Sequence, residues 1–254
     1  MTSIQMNFLT ALPLRLRRLA PRHLASACLA ALLCNPAAAL TFTPIEMDFS
    51  PSGRGATQTF RLNNNDAEPA AVEITVKSRA MTRNGEDLLE DAEDQFNIFP
   101  AQVVLQPGQT QSVRVQYVGA AAIEYEQAFR LIAEQLPIDV GQAQQNGGRM
   151  RLLVKYVASV YVQPRNAKPA VTVAQARLAQ DNGQRWLEIE LRNEGSSRKI
   201  LKNAQLQLGA LNLSGAALKG LEGENLLART TRVFRIPVPA EPVDLKAPAR
   251  LVLE

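Results

Sequence analysis

The run from Arg149 to Pro164 constrains this chain more than any other stretch. Every second residue in it is apolar: Met150, Leu152, Val154, Tyr156, Ala158, Val160 and Val162. The alternate positions are mixed: Arg151, Leu153, Lys155, Val157, Ser159, Tyr161 and Gln163. A period of two with many β-branched and aromatic residues is the pattern of a strand, not of a helix. The run is also long for a strand in an ordinary domain. A wholly apolar face needs a cover. Its own domain supplies that cover throughout, or part of the face is kept for a partner; the residues alone leave both open.

The first 39 residues read as an export signal, outside the fold. Arg15, Arg17, Arg18 and Arg22 precede a short apolar core at 24–33, and Ala37, Ala38 and Ala39 fit a small-residue cleavage site. The apolar core is too short to span a bilayer as a helix, so no membrane insertion is expected. A lipoprotein signal ending at Cys34 is the competing reading, and Leu33 stands where that motif wants a small residue.

Removing this segment changes the composition. The chain has 28 Lys and Arg against 24 Asp and Glu. The signal holds four Arg and no acid, so the mature chain is formally neutral and the pI of 9.3 belongs to the precursor. A nucleic-acid partner is therefore not expected. Cys28, Cys34 and the sole histidine, His23, also lie in the signal. A mature chain without Cys or His has no disulfide, no thiolate metal site, no Cys nucleophile and no Ser-His-Asp triad. It carries no Gly-rich loop ending in Lys-Ser/Thr, so ATP use is not expected either. An enzyme here would need paired carboxylates or a metal held by oxygen ligands. No such pair stands out, and neither catalysis nor a cofactor is expected. Stability has to come from core burial, and about 215 residues are enough for two domains of about 100 each.

The rest of the mature chain is punctuated as all-β. Alternating segments at 40–49, 56–62, 71–80, 96–105, 111–118 and 125–136 are separated by turn clusters such as Asn63-Asn64-Asn65, Asn84-Gly85 and Pro107-Gly108. The acidic stretch 85–95 has Glu86, Asp87, Glu90, Asp91, Glu93 and Asp94 but lacks the ligand alternation and central Gly of a calcium loop, so it reads as a solvated, flexible loop. After a stiff linker at 165–169, strands resume at 170–178, 186–192, 204–208 and 232–237, with a short last strand within 250–254; 215–227 reads as loop or a single helical turn. Strands this short and frequent predict two β-sandwiches joined near residue 165. The organisation expected is thus signal 1–39, first domain 40–164 and second domain 165–254.

Two segments are more specific. Phe99 to Tyr117, with Pro107-Gly108 at its turn, and Tyr125 to Pro137, around Phe129-Arg130-Leu131-Ile132, resemble the N-terminal domain of periplasmic pilus-assembly chaperones of the chaperone–usher pathway. The resemblance is strong over residues 40–164 and weak beyond. It implies an all-β fold of two immunoglobulin-like sandwiches in an L shape and a periplasmic location. It also implies a role in binding, folding and capping pilin-like subunits and handing them to an outer-membrane usher. In such chaperones the last strand of the first domain completes the subunit's unfinished sheet, a β-augmentation. Carried onto this chain, the resemblance makes Met150, Leu152 and Val154 the lent side chains, with Tyr156 at the limit. An edge kept open for a subunit is also open to a second copy, so self-association through it is expected.

The resemblance also implies a basic anchor for the subunit's terminal carboxylate. The best-known branch uses an Arg on the first strand and a Lys late in the donor strand; Glu46 and Ser159 stand at those positions here. The chain looks closer to the archaic, spore-coat-U-type branch, in which Arg130 and Lys155 are the corresponding basic residues. Arg130 sits between Phe129 and Leu131 in an apolar strand, and a guanidinium supplies two parallel charge-assisted hydrogen bonds to a carboxylate. An internal ion pair with Glu124, Glu126 or Glu134 is the other reading of Arg130. A two-domain immunoglobulin-like structural or adhesive surface protein is the alternative function.

Overall fold

The computed structural model describes residues 40–137, 152–238 and 243–254. In chain order the first sandwich contains β1 (Leu40–Thr43), β2 (Glu46–Phe49), β3 (Thr57–Asn64), β4 (Ala70–Met81), β5 (Asp87–Asp91), β6 (Phe96–Phe99), β7 (Gln102–Leu105), β8 (Thr110–Tyr117), β9 (Gln127–Leu136) and β10 (Lys155–Val162). One sheet is ordered β1-β3-β8-β6. The other is β2-β10-β9-β4-β5, with β7 also paired to β4. Alternation sets the faces: Val113, Val115 and Tyr117 of β8 are buried while Arg114 and Gln116 are exposed. Leu40, Phe42, Phe60 and Leu62 of one sheet meet Val72, Ile74, Val76, Leu131, Ala158, Val160 and Val162 of the other in a single core. Phe96 ties it together, with its ring edge-on to Phe49, Tyr117 and Phe129.

Three expectations need correction in detail. Residues 40–49 and 96–105 each read as one strand, yet each breaks at a proline, Pro44 or Pro100. The two halves then join opposite sheets: β1 and β6 in one, β2 and β7 in the other. Proline has no N–H for the ladder, so it marks the place where the chain changes sheets. The acidic stretch is not a loop. Its residues form β5, paired with the end of β4 from Lys77↔Asp91 to Met81↔Asp87. Glu90 and Asp91 are exposed and Asp87 is half-buried, and β4 outruns β7 and leaves an edge for β5 to pair with.

The second sandwich contains β11 (Val171–Asp181), β12 (Gln184–Asn193), β13 (Lys199–Ile200), β14 (Gln205–Leu208), β15 (Leu211–Ser214), β16 (Asn225–Leu226), β17 (Thr231–Pro237) and β18 (Ala249–Val252). Its sheets are β11-β12-β17, β13-β16 and β15-β14-β18. The β11–β12 hairpin turns on Asn182 and Gly183, both at positive φ, the conformation that two-residue hairpins favour. Leu187, Ile189, Leu191, Leu201, Leu206, Leu208, Phe234 and Ile236 form a core separate from the first. Residues 215–227 hold a 3-10 turn at Gly215–Leu218 and then β16, with Leu218, Leu221 and Leu226 buried.

Candidate functional site

β10 is flanked unequally along its length. β9 pairs antiparallel with all of it, from Lys155↔Glu134 to Val162↔Gln127. Upstream that ladder continues, with Gln135 N donating to Val154 O at 2.9 Å. β2 pairs in parallel only with Ser159–Val162. Ser159 N donates to Ile45 O and Gln163 N to Phe49 O on that side. Backbone groups alternate along a strand, so Lys155 and Val157 direct theirs the same way. Among the described residues no strand pairs with them there.

The side chains divide at the same place. Ala158, Val160 and Val162 are fully buried. Tyr156 is half-buried, packs against the domain's own core, and donates its hydroxyl to Leu40 O. Val154 is half-buried and Leu152 is 82% exposed. Leu153, Val157 and neighbouring Ile45 are also exposed. Met150 lies outside the described residues. The sequence groups Tyr156 with the residues lent to a partner; its packing ties it to the domain it belongs to.

Arg130 and Lys155 sit in different surroundings. Lys155 pairs with Glu134 at 2.8 Å with both side chains half exposed, a pair worth about 0–1 kcal/mol. Arg130 lies between Ser159 on β10 and Lys77 on β4 in the sheet register. Its Nη1 donates to Ser159 Oγ at 2.5 Å, and its Nε donates to Asp87 Oδ2 at 2.8 Å. Asp87 is therefore its ion-pair partner, in place of the three glutamates considered from sequence; of those, Glu134 holds Lys155 and Glu126 holds Arg198. The second oxygen of Asp87 accepts from Arg79 Nε at 2.7 Å, and Arg79 Nη1 reaches the Tyr161 hydroxyl at 3.3 Å. Burial opposes ionisation of Asp87, but the hydrogen bonds and charges of Arg79 and Arg130 outweigh it and hold the carboxyl below its ordinary range. Glu46 and Ser159, the two positions where the best-known branch keeps its basic pair, are direct register partners. Arg130 thus reaches over Ser159 from the next strand.

A second charged cluster is not foreshadowed by the sequence reading. Arg198, on the second sandwich, lies over the Tyr161 ring with its guanidinium carbon 3.5 Å from the centroid. It donates to Glu126 at 2.7 Å, to Asp48 at 3.0 Å and to Glu46 at 3.1 Å. Its backbone N also donates to Glu126. Burial is the main influence on Glu126 and raises its carboxyl above the ordinary range; the charge and hydrogen bonds of Arg198 oppose this. Nearby, Asn225 donates to the Tyr161 hydroxyl at 2.8 Å and Glu126 N to Ser196 O at 2.9 Å. The tip of the β4–β5 hairpin makes further contacts: Val233 N donates to Arg83 O at 2.8 Å, and Arg83 pairs with Glu190. Gly85 sits at positive φ where a Cβ would meet the Arg232 guanidinium. The two sandwiches are therefore joined by the Arg198 cluster and by the tip of the β4–β5 hairpin. Among the described residues no helix is long and apolar enough to cross a membrane.

Two immunoglobulin-like sandwiches, the first ending in a strand whose upstream half has a single paired neighbour among the described residues, make a two-domain all-β fold. Residues 50–168 match the family model described as pili and flagellar-assembly chaperone, PapD N-terminal domain. The first sandwich thus matches the N-terminal domain of that chaperone family, and the two-domain fold is the one seen in fimbrial chaperones. The class 5 fimbriae chaperone CfaA is similar at 15% identity and a TM-score of 0.56, over 85% of this chain and 98% of its own. A chaperone–tip adhesin complex of CFA/I fimbriae biogenesis matches at 14% identity and a TM-score of 0.55, over 85% and 99%. The CsuC–CsuE chaperone–tip adhesion subunit complex of archaic Csu pili from Acinetobacter baumannii matches at 16% identity and a TM-score of 0.50, over 78% and 90%. No curated protein matches by sequence.

Proposed function

We propose that this protein is a pilus-assembly chaperone that works in the periplasm, where it lends the first half of β10 and the residues leading into it to a pilin-like subunit and then yields that subunit to an outer-membrane usher. One observation carries the reading: the edge at Lys155 and Val157, unpaired among the described residues, coincides with the place where the apolar face stops being buried. Unpaired backbone on that side supplies affinity, and alternate apolar side chains supply specificity. Leu152 and Val154, with Met150 upstream, are the lent side chains, and Tyr156 marks where the chaperone's own core begins. Arg130 is the anchor for the subunit's terminal carboxylate, with Lys155 as a second, more exposed cation. A subunit strand laid parallel along the open edge ends where β2 takes over at Ser159, which Arg130 touches. Complexes of a chaperone with a tip subunit among the structural neighbours support the choice of partner. The same edge admits a second copy of the chain when no subunit is present.

Leu152→Glu places a charge on the lent face and is expected to abolish co-purification of a co-expressed pilin-like subunit while the chaperone stays folded. Undiminished subunit recovery sinks the assignment. Arg130→Ala is expected to lower subunit levels in the periplasm, and normal levels refute the anchor.

A further inference from the structure

Asp87 is a carboxylate already seated where the proposed anchor would hold one. Both of its oxygens are engaged: Oδ1 by Arg79 Nε at 2.7 Å, and Oδ2 by Arg130 Nε at 2.8 Å and Nη2 at 2.6 Å. The arginines are the fixed members of this group. Arg79 and Arg130 lie on β4 and β9, adjacent strands paired over most of their length, and their side chains are 6% and 18% exposed. Ser159 and Tyr161 hold their outer nitrogens from β10. Asp87 opens β5, the edge strand of the sheet, whose residues are half-exposed or exposed, so it is the member with room to leave. Two guanidiniums against one carboxylate leave a net charge of about +1, and buried cations of this kind require an anionic partner.

We infer that the Arg79–Arg130 pair is one receptor for a chain-terminal carboxylate and that Asp87 occupies it until a subunit arrives. The inference rests on the strand-lending reading and adds two residues to it: Arg79 as a second anchor and Asp87 as an internal placeholder. Displacing Asp87 takes away part of the anchor's affinity, so the chaperone holds its subunit less tightly than the two arginines alone would. That weakness suits a protein that must hand its subunit on.

Two measurements on the purified mature protein test this. The first is independent of any subunit: Asp87→Ala empties the receptor, and acetate is the probe. The thermal midpoint of Asp87→Ala is expected to rise by several degrees in acetate over chloride at equal ionic strength, and that of the wild type to stay unchanged. An equal response from both proteins overturns the receptor. The second uses an N-acetylated heptapeptide of alternating valine and threonine, with a free carboxylate or a C-terminal amide. Asp87→Ala is expected to increase the preference for the acid at least tenfold over wild type, and adding Arg79→Gln is expected to remove the gain. An unchanged acid-to-amide ratio, with both peptides binding, overturns the placeholder while leaving strand lending intact. Binding of neither peptide to any variant overturns strand lending and the placeholder with it.

Discussion

The two halves of β10 share one alternation and differ in what flanks them. From Ser159 to Val162 the strand has a neighbour on each edge, and Ala158, Val160 and Val162 fill the core. Before Ser159, among the described residues, it has only β9, and the apolar residues of that half and of the segment leading into it pass from half-buried Tyr156 to exposed Leu152. Hydrophobic pattern therefore does not separate a strand's structural length from its binding length here. The neighbour does: β2 ends the open edge, and Arg198 fastens β2 by bridging Glu46 and Asp48 over Tyr161.

The largest effect is expected at that fastening. Arg198→Ala leaves Glu126 buried without its partner and is expected to cost about 3–5 kcal/mol in urea unfolding. A loss under about 1 kcal/mol would mean that β2 holds the downstream half without help. Next comes the packed half itself. Val160→Ala removes two methyl groups from a fully buried site and is expected to cost about 2–3 kcal/mol by the same measurement.

The pH dependence is smaller and has a definite sign. The Asp87 carboxyl lies lower in the folded protein than in the unfolded chain. Its stabilising contribution is present above the unfolded value of about 4 and lost as pH falls through the folded one. Asp87→Asn lacks that contribution at any pH, so the gap in urea midpoint between wild type and variant is expected to narrow from pH 7 to pH 3. Glu126, raised by burial, acts with the opposite sign in both proteins and leaves the gap unaffected. The smallest effect on stability is expected in the open half. Leu152→Glu is expected to shift stability by no more than about 0.5 kcal/mol, because the side chain is already in water. A larger loss would place Leu152 in the chaperone's own core.

Most of the architecture is legible in the sequence because period-two alternation and turn residues act locally. Val72, Ile74 and Val76 announce β4 without reference to anything distant. The breaks at Pro44 and Pro100 are legible as prolines, but not as changes of sheet, since that depends on which strand waits on the other side. The acidic stretch reads as solvated because its charges outnumber its apolar residues; β5 forms because β4 offers a backbone edge, which composition does not reveal. Arg130 is conspicuous as a lone cation in an apolar strand. Arg79 shares the outward parity of Lys77 and reads as one more exposed charge, although Asp87 and Tyr161 enclose it. Arg198 gives no local signal, since its partners at 46, 48 and 126 all lie in the other sandwich.

The central claim concerns backbone groups, so amide hydrogen exchange in the free chaperone and in its complex with a co-expressed pilin-like subunit tests it most directly. The amides of Lys155 and Val157 are expected to exchange quickly in the free protein and to become protected in the complex. Those of Ala158 and Val160, already within the paired half, are expected to stay protected in both. Protection of Lys155 and Val157 in the free monomer, or no gain of protection in the complex, would contradict strand lending.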